Sequence, residues 1–183
     1  MEVTKCLGND FVSLRTFYKY VIDNTPEMKT HCPWIYGKHP TDEMIMKYIE
    51  SGWMYSVKEG ENILAAVALV PFQDDEYRDL DWGVDASDDD VLAVHILAVH
   101  PDCQGRGVAK EVMEAVIGMA RKRKFKTVRL DALSTNTPAH RLYEKCGFTP
   151  RGSASWYASN TGVTAFRLFE YILYLSFEVS VQI

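Results

Sequence analysis

The sequence predicts an α/β fold in which a mixed, mostly antiparallel sheet is flanked by helices. Segments with strand and helix periodicity follow one another in the order β-α-α-β-β-β-α-β-α-β-β. Two runs, ILAAVALV at 63–70 and VLAVHILAV at 91–99, are apolar on both faces, as strands covered on both sides are. Beyond the second run, Val108, Ala109, Val112, Met113, Val116, Ile117 and Ala120 recur on one helical face. With 183 residues, 47% of them hydrophobic, the chain suits one domain over 1–183 with a sizeable core.

From the N-terminus, MEVTKCL reads as a short strand and Asn9-Asp10 as the cap of an amphipathic helix, FVSLRTFYKYVI. Residues 24–41 hold Pro26, Pro33, Gly37 and Pro40 and should be irregular. Thr41 caps a second helix, DEMIMKYIESG, which Gly52 stops. A hairpin follows, turning at Lys58 to Asn62. Residues 74–90 carry nine acids against the one base Arg78. Such a stretch is either a solvated loop or a negative lip that concentrates cationic substrates.

After VLAVHILAV, ended by Pro101, the helix from Gly107 to about Arg123 closes on the cations Arg121 to Lys124 at its negative dipole end. KTVRLDAL alternates, with Val128, Leu130 and Ala132 on one face and Arg129 and Asp131 on the other. TNTPAHRLYEKCGF is a short helix with Pro138 in its first turn and Gly147 as its stop. Phe148 to Ile183 reads as two long strands around a turn at Ser159 to Gly162.

Composition narrows the function. A net charge of −5 argues against nucleic-acid binding. The N-terminus lacks the basic and apolar regions of a leader, the run Ile63 to Phe72 is too short to span a bilayer, and Arg167, Glu170 and Glu178 interrupt the apolar C-terminal stretch. A cytoplasmic protein without membrane contact is expected. Cys6, Cys32, Cys103 and Cys146 lie far apart without CxxC spacing, and the five histidines show no HExxH, so neither a metal site nor a disulfide framework is expected.

HPDCQGRGVAK, residues 100–110, joins a buried strand to the most regular helix. Such a junction presents unpaired N–H groups at a positive dipole end, where phosphate binds; glycines at 105 and 107 allow close approach, and Arg106 adds charge. The stretch lacks the Lys-Ser/Thr of a P-loop and the GxGxxG of a dinucleotide fold. Taken alone it is a connector or a phosphate cradle.

Downstream, Asn136 precedes a helix with the stripe Ala139, Leu142, Tyr143 and Cys146. In combination, LAVHPDCQGRGVA and the N-x-x-A-x-x-LYEKCGF pattern at 136–148 closely resemble the GNAT superfamily of N-acetyltransferases. Its acetyl-CoA signature, Gln/Arg-x-x-Gly-x-Gly/Ala, is met by Gln104, Gly107 and Ala109. Trp34, Pro40-Thr41, Glu43 and Glu50-Ser51-Gly52 resemble a bacterial subset of that superfamily, many of whose members have no assigned substrate. The resemblance implies the acyl-CoA N-acyltransferase fold, with acetyl-CoA as co-substrate. It also implies that the backbone of Leu97, Ala98 and Val99 holds the pantetheine arm and thioester carbonyl. Gln104, Gly105, Arg106, Gly107, Val108, Ala109 and Lys110 would cradle the pyrophosphate, Asn136 would bind the arm, and Tyr143 would stand near the sulfur.

Transfer to an amine needs a polarised carbonyl, a proton for the leaving thiolate and a neutral nitrogen. The N–H of Leu97 or Val99 would polarise the carbonyl, and Tyr143 would supply the proton. Histone-type members carry a basic carboxylate at the position matching Ala93, so the base here is Asp131, His95 or a water chain. Asp131 could instead be ion-paired with Arg129 or a nearby cation, and His95 could be a core histidine. His95 shares strand parity with Leu97 and Val99; His100 and His140 should be solvated, and Cys103 should lie at the surface. Trp34, Tyr36, Trp156 and Tyr157 would form the acceptor wall, suited to a small-molecule or peptide amine, unless they serve core packing or a homodimer contact. A non-catalytic acyl-CoA-binding sensor or interaction module is the alternative, and nothing in the motif measures acyl length.

Overall fold

The computed structural model describes residues 1–78 and 80–173. Strands β1 (Thr4–Lys5), β2 (Met54–Glu59), β3 (Asn62–Val70), β4 (Val91–Val99), β5 (Thr127–Leu133), β6 (Thr149–Ala158) and β7 (Gly162–Ile172) form one sheet. Their order is β1-β2-β3-β4-β5-β7-β6. Only β4 and β5 run parallel; every other neighbouring pair is antiparallel. The helices are α1 (Phe11–Asn24), α2 (Met28–His31), α3 (Asp42–Glu50), α4 (Val108–Lys122) and α5 (Thr137–Lys145). The expected last strand continues to 183 by pattern, and its part from 174 onward lies outside the described residues.

Alternation along the strands feeds two cores. On one face Leu14, Phe17 and Tyr18 of α1 and Ile45 and Ile49 of α3 meet Ala66, Ala68 and Ala98, whose small side chains let the helices approach closely. On the other, Val112, Met113, Val116 and Ile117 of α4 and Tyr143 of α5 meet Val67, Leu92, Val128 and Leu130. Thr41 caps α3 as its sequence predicts, its Oγ1 accepting from the Met44 N–H at 3.1 Å. Thr41→Ala should therefore cost about 1 kcal/mol of unfolding free energy, read from the denaturant midpoint at unchanged slope. At α1 the expected cap differs, because the Asp10 carboxylate turns back to accept from the Leu7 N–H at 2.7 Å and from Lys58 at 2.5 Å.

The central strand departs from regular pairing. His95 faces Ala68 and Ala98 faces Ala66, so Ile96 and Leu97 together oppose Val67 in a β-bulge. Ile96 has φ +43°, a left-handed conformation that strains a β-branched residue. Its carbonyl is held by the fully buried Tyr18, whose hydroxyl donates to it at 2.9 Å. The extra residue also reverses the strand's facing. His95 shares its face with Ala98, on the α1 and α3 side, whereas Leu97 and Val99 pack on the α4 side. The expected common parity of His95, Leu97 and Val99 is thus overturned. Past Ala93 the two parallel strands part: only Val91–Ala93 of β4 pair with Thr127–Arg129 of β5.

A buried ion pair fixes the acidic stretch. Arg129 and Glu170, 2% and 1% exposed, are direct cross-strand partners on β5 and β7. Glu170 accepts from Arg129 Nε at 3.0 Å, Thr127 Oγ1 at 3.2 Å, Arg151 Nε at 2.9 Å and the Gly83 N–H at 2.7 Å. Arg129 also donates to Gln73 Oε1 at 2.6 Å and to the Val84 carbonyl at 2.7 Å, with Trp82 stacked 4.5 Å from its guanidinium carbon. The stretch is pinned to the sheet in its middle, at Gly83 and Val84, and through Gln73 just before it, and both Gln73 and Tyr77 are buried. A purely solvated loop is therefore excluded, and so is the Arg129–Asp131 ion pair.

Candidate active site

A cavity of about 1080 Å³ opens where β4 and β5 part. The edge of β4 from Val94 to Val99 lines it without a β5 partner, leaving main-chain N–H and C=O groups available to a ligand. At one end lies the turn Gln104 to Lys110. Gly105 and Gly107 stand at φ +73° and +85°, and a Cβ at either would meet nothing within 4 Å. Backbone conformation, rather than lack of room, demands glycine there. Gly107 caps the 15-residue α4, whose first N–H groups and positive dipole end suit a phosphate. Lys110 lines the cavity with Arg141 and Lys145 of α5. Arg106 does not; its guanidinium lies 3.8 Å from Cys103 Sγ. Asn136 Oδ1 caps α5 by accepting from the Ala139 N–H at 3.3 Å, so its two N–H donors are the groups a ligand can use.

Asp131 and Tyr143 both line the cavity, near enough for the Asp131 charge to act on the Tyr143 hydroxyl. The Tyr143 ring is wedged between Phe148 and Phe169, at 6.1 and 5.4 Å between centroids. Burial, reinforced by the Asp131 charge, pushes its hydroxyl well up, so Tyr143 stays protonated at physiological pH. Asp131 accepts a hydrogen bond from the Tyr77 hydroxyl at 2.6 Å. Burial raises its carboxyl above the ordinary range, and the Tyr77 bond opposes that rise.

At the far end, the His95 ring stacks on Tyr48, 6.4 Å between centroids and 7° from parallel. Its Nε2 is buried 3.2 Å from Asp74 Oδ2, close enough for an ion pair but too far out of line for a hydrogen bond. Burial holds His39 down at about 4, so it is neutral at pH 7. Of the four predicted aromatics, Trp34, Trp156 and Tyr157 line the cavity, with Trp156 stacked on Phe166 at 4.3 Å. Tyr36 is not among the lining residues and donates its hydroxyl to Asp42.

Asp74, Glu76, Tyr77, Tyr48 and His39 line the cavity as well, beyond the residues that sequence motifs mark. A signal was present: Tyr77, Leu80, Trp82 and Val84 interrupt the acidic stretch, and a fully solvated loop has no use for them. Two further expectations fail. Cys103 is 7% exposed rather than at the surface, and His140 is buried, its Nε2 3.0 Å from the Leu133 carbonyl. Among the described residues no three His, Cys, Asp or Glu side chains gather as metal ligands, and no helix is long and apolar enough to cross a membrane.

A family model described as the acetyltransferase (GNAT) family matches residues 11–148. The chain belongs to this family. Streptothricin acetyltransferase from Escherichia coli is 35% identical over 63 residues, which span 34% of this chain and 36% of that protein. Solved structures share the fold at lower identity. A GNAT-family acetyltransferase from Streptococcus agalactiae superposes with a TM-score of 0.72 at 15% identity, covering 94% of this chain and 95% of the other. The yncA protein from Salmonella typhimurium, solved with its cofactor acetyl-CoA, gives 0.65 at 13% identity, covering 98% and 96%. The mixed seven-stranded sheet of this GNAT chain is the fold of those structures.

Proposed function

We propose that this GNAT chain is an acetyl-CoA-dependent N-acetyltransferase that passes acetyl directly to a primary amine of a small molecule or peptide. The observation that carries the reading is one cavity lined by a glycine turn on a helix N-terminus, the unpaired edge of β4, Asp131 and Tyr143. The streptothricin acetyltransferase likeness and the acetyl-CoA held by the Salmonella typhimurium protein support it.

Acetyl-CoA supplies an activated acyl group and a thiolate leaving group; the chain's own residues do the rest. Main-chain N–H groups of Gly105 to Lys110 receive the pyrophosphate, with Lys110 adding charge. A free N–H on the β4 edge, at Leu97 or Val99, polarises the thioester carbonyl. Asp131 takes a proton from the incoming ammonium, so that a neutral nitrogen attacks. Tyr143 gives its proton to the departing sulfur and regains one from the nitrogen as the amide forms. Release of free CoA thiol with a broad amine panel tests the reading. Binding of acetyl-CoA with no release above buffer for any amine would favour the non-catalytic sensor instead.

The base has its own test. Asp131 acts when ionised, so kcat/KM should fall as pH drops through a pKa above the ordinary value of about 3.9. Asp131→Asn should abolish that acid limb, while His95→Gln should leave it in place. The reverse pattern across the two pH profiles assigns the base to His95.

A further inference from the structure

We propose that the acceptor carries a second cationic group, held by Glu76 and Asp74 while its reacting amine faces Asp131 and Tyr143. The proposal rests on the acetyltransferase reading above and names the substrate class of the same site.

Among the described acids of the 74–90 stretch, three that do not line the cavity are neutralised: Asp75 and Asp88 pair with Arg78 at 3.1 and 2.9 Å, and Asp90 pairs with Lys126 at 2.7 Å. Asp81, Asp85 and Asp89 do not line it either. The two that do, Asp74 and Glu76, have no lysine or arginine partner. Among the described residues Glu76 has no salt-bridge partner, Asp131 has only the neutral Tyr77 hydroxyl, and Asp74 has only His95 close by. Lys47 on α3 reaches Asp74 through its charge alone, without ion-pair contact, and the neighbouring His39 is neutral at pH 7. Three carboxylates thus share one wall with little countercharge, and Asp131 feels the charge of both others.

The cavity is therefore bipolar. Lys110, which also meets Glu114 at 3.4 Å, stands on α4 with Arg141 and Lys145 on α5, while Asp131, Asp74 and Glu76 stand on β5 and the pinned loop. The remaining lining acid, Glu27, meets His31 at 2.9 Å. A cleft whose wall bears one sign of charge concentrates ligands of the other sign. An anionic nucleotide suits the first end. A monocation whose charge vanishes when it reacts leaves the second end unneutralised, whereas a diamine or an aminoalkyl guanidine keeps one charge to satisfy it. Tyr48 and Trp156 line that end and add aromatic faces suited to a cation.

The test compares straight-chain α,ω-diamines and aminoalkyl guanidines with monoamines of matched length, measuring CoA release against acceptor concentration. The expected result is a kcat/KM about tenfold or more higher for the dications, carried mainly by KM and shrinking as salt is raised. Glu76 is exposed, so Glu76→Gln should fold normally and should raise the dication KM toward that of the monoamine. Equal use of monoamines and dications overturns this inference and leaves acetyl transfer standing. A preference untouched by Glu76→Gln overturns the assigned contact. No CoA release with any amine, while acetyl-CoA still shifts the thermal midpoint, overturns the reading beneath it as well.

Discussion

Tyr143→Phe is expected to lower kcat by about 100-fold or more while acetyl-CoA affinity stays near that of the parent. The ring sits edge-on to Phe169 and near Phe148, and phenylalanine fills the same space, so the fold and the cofactor cradle should be unaffected. What disappears is the Tyr143 hydroxyl, which lines the cavity together with Asp131. Without it the thiolate must leave unprotonated or find its proton in water. Steady-state CoA release and calorimetric titration with acetyl-CoA separate the two quantities. Turnover within a factor of two or three of the parent would remove Tyr143 from the chemistry. A parallel loss of affinity would make it a binding residue.

Glu170→Ala should lower stability by about 3–5 kcal/mol. The carboxylate is fully buried and receives bonds from two guanidinium groups, a hydroxyl and the Gly83 N–H, all of which would be left without an acceptor. Denaturant unfolding reads the loss, and a change under about 1 kcal/mol would show that water replaces the carboxylate. The paired replacement Arg129→Met with Glu170→Leu should recover only the part of that loss that comes from stranding the Arg129 charge, because Arg151, Thr127 and the Gly83 N–H still lose their acceptor. It should also weaken acceptor binding. The Arg129 bonds to Gln73 and Val84 hold the loop that brings Tyr77 to Asp131. A double variant with parent-like stability and parent-like acceptor KM would separate the latch from the site.

The elements of the fold were legible because their signals are local. Periodicity marked α4, Thr41 marked the start of α3, and Pro138 with Gly147 bracketed α5. The glycine turn was legible for the same reason: two glycines stand between a buried strand and a helix, and both take positive φ. What the sequence hid depends on contacts between distant segments. Ile96 sits in an unbroken apolar run with no glycine or proline to announce a bulge, and its conformation is held by Tyr18, 78 residues away. The partner of Arg129 was hidden by topology. β7 inserts between β5 and β6, which places Glu170 opposite Arg129 rather than beside its own hairpin alone. The acids of the 74–90 stretch looked equivalent in sequence, and only the pinning of that stretch decides which of them turn inward.

The extra residue in β4 has a further meaning for how such a site can change. On the proposed reading, the strand ahead of the bulge offers a side chain, His95, to the acceptor, and beyond the bulge it offers main-chain groups to the acyl donor. Main-chain groups are the same whatever the side chain, so the donor half is insensitive to substitution along Leu97 to Val99. The acceptor half consists of side chains on a loop whose anchors lie elsewhere. On that reading one strand separates a fixed chemical half from an adaptable one, and changes at 74–77 and His95 would alter the amine accepted without redrawing the half proposed to handle the thioester.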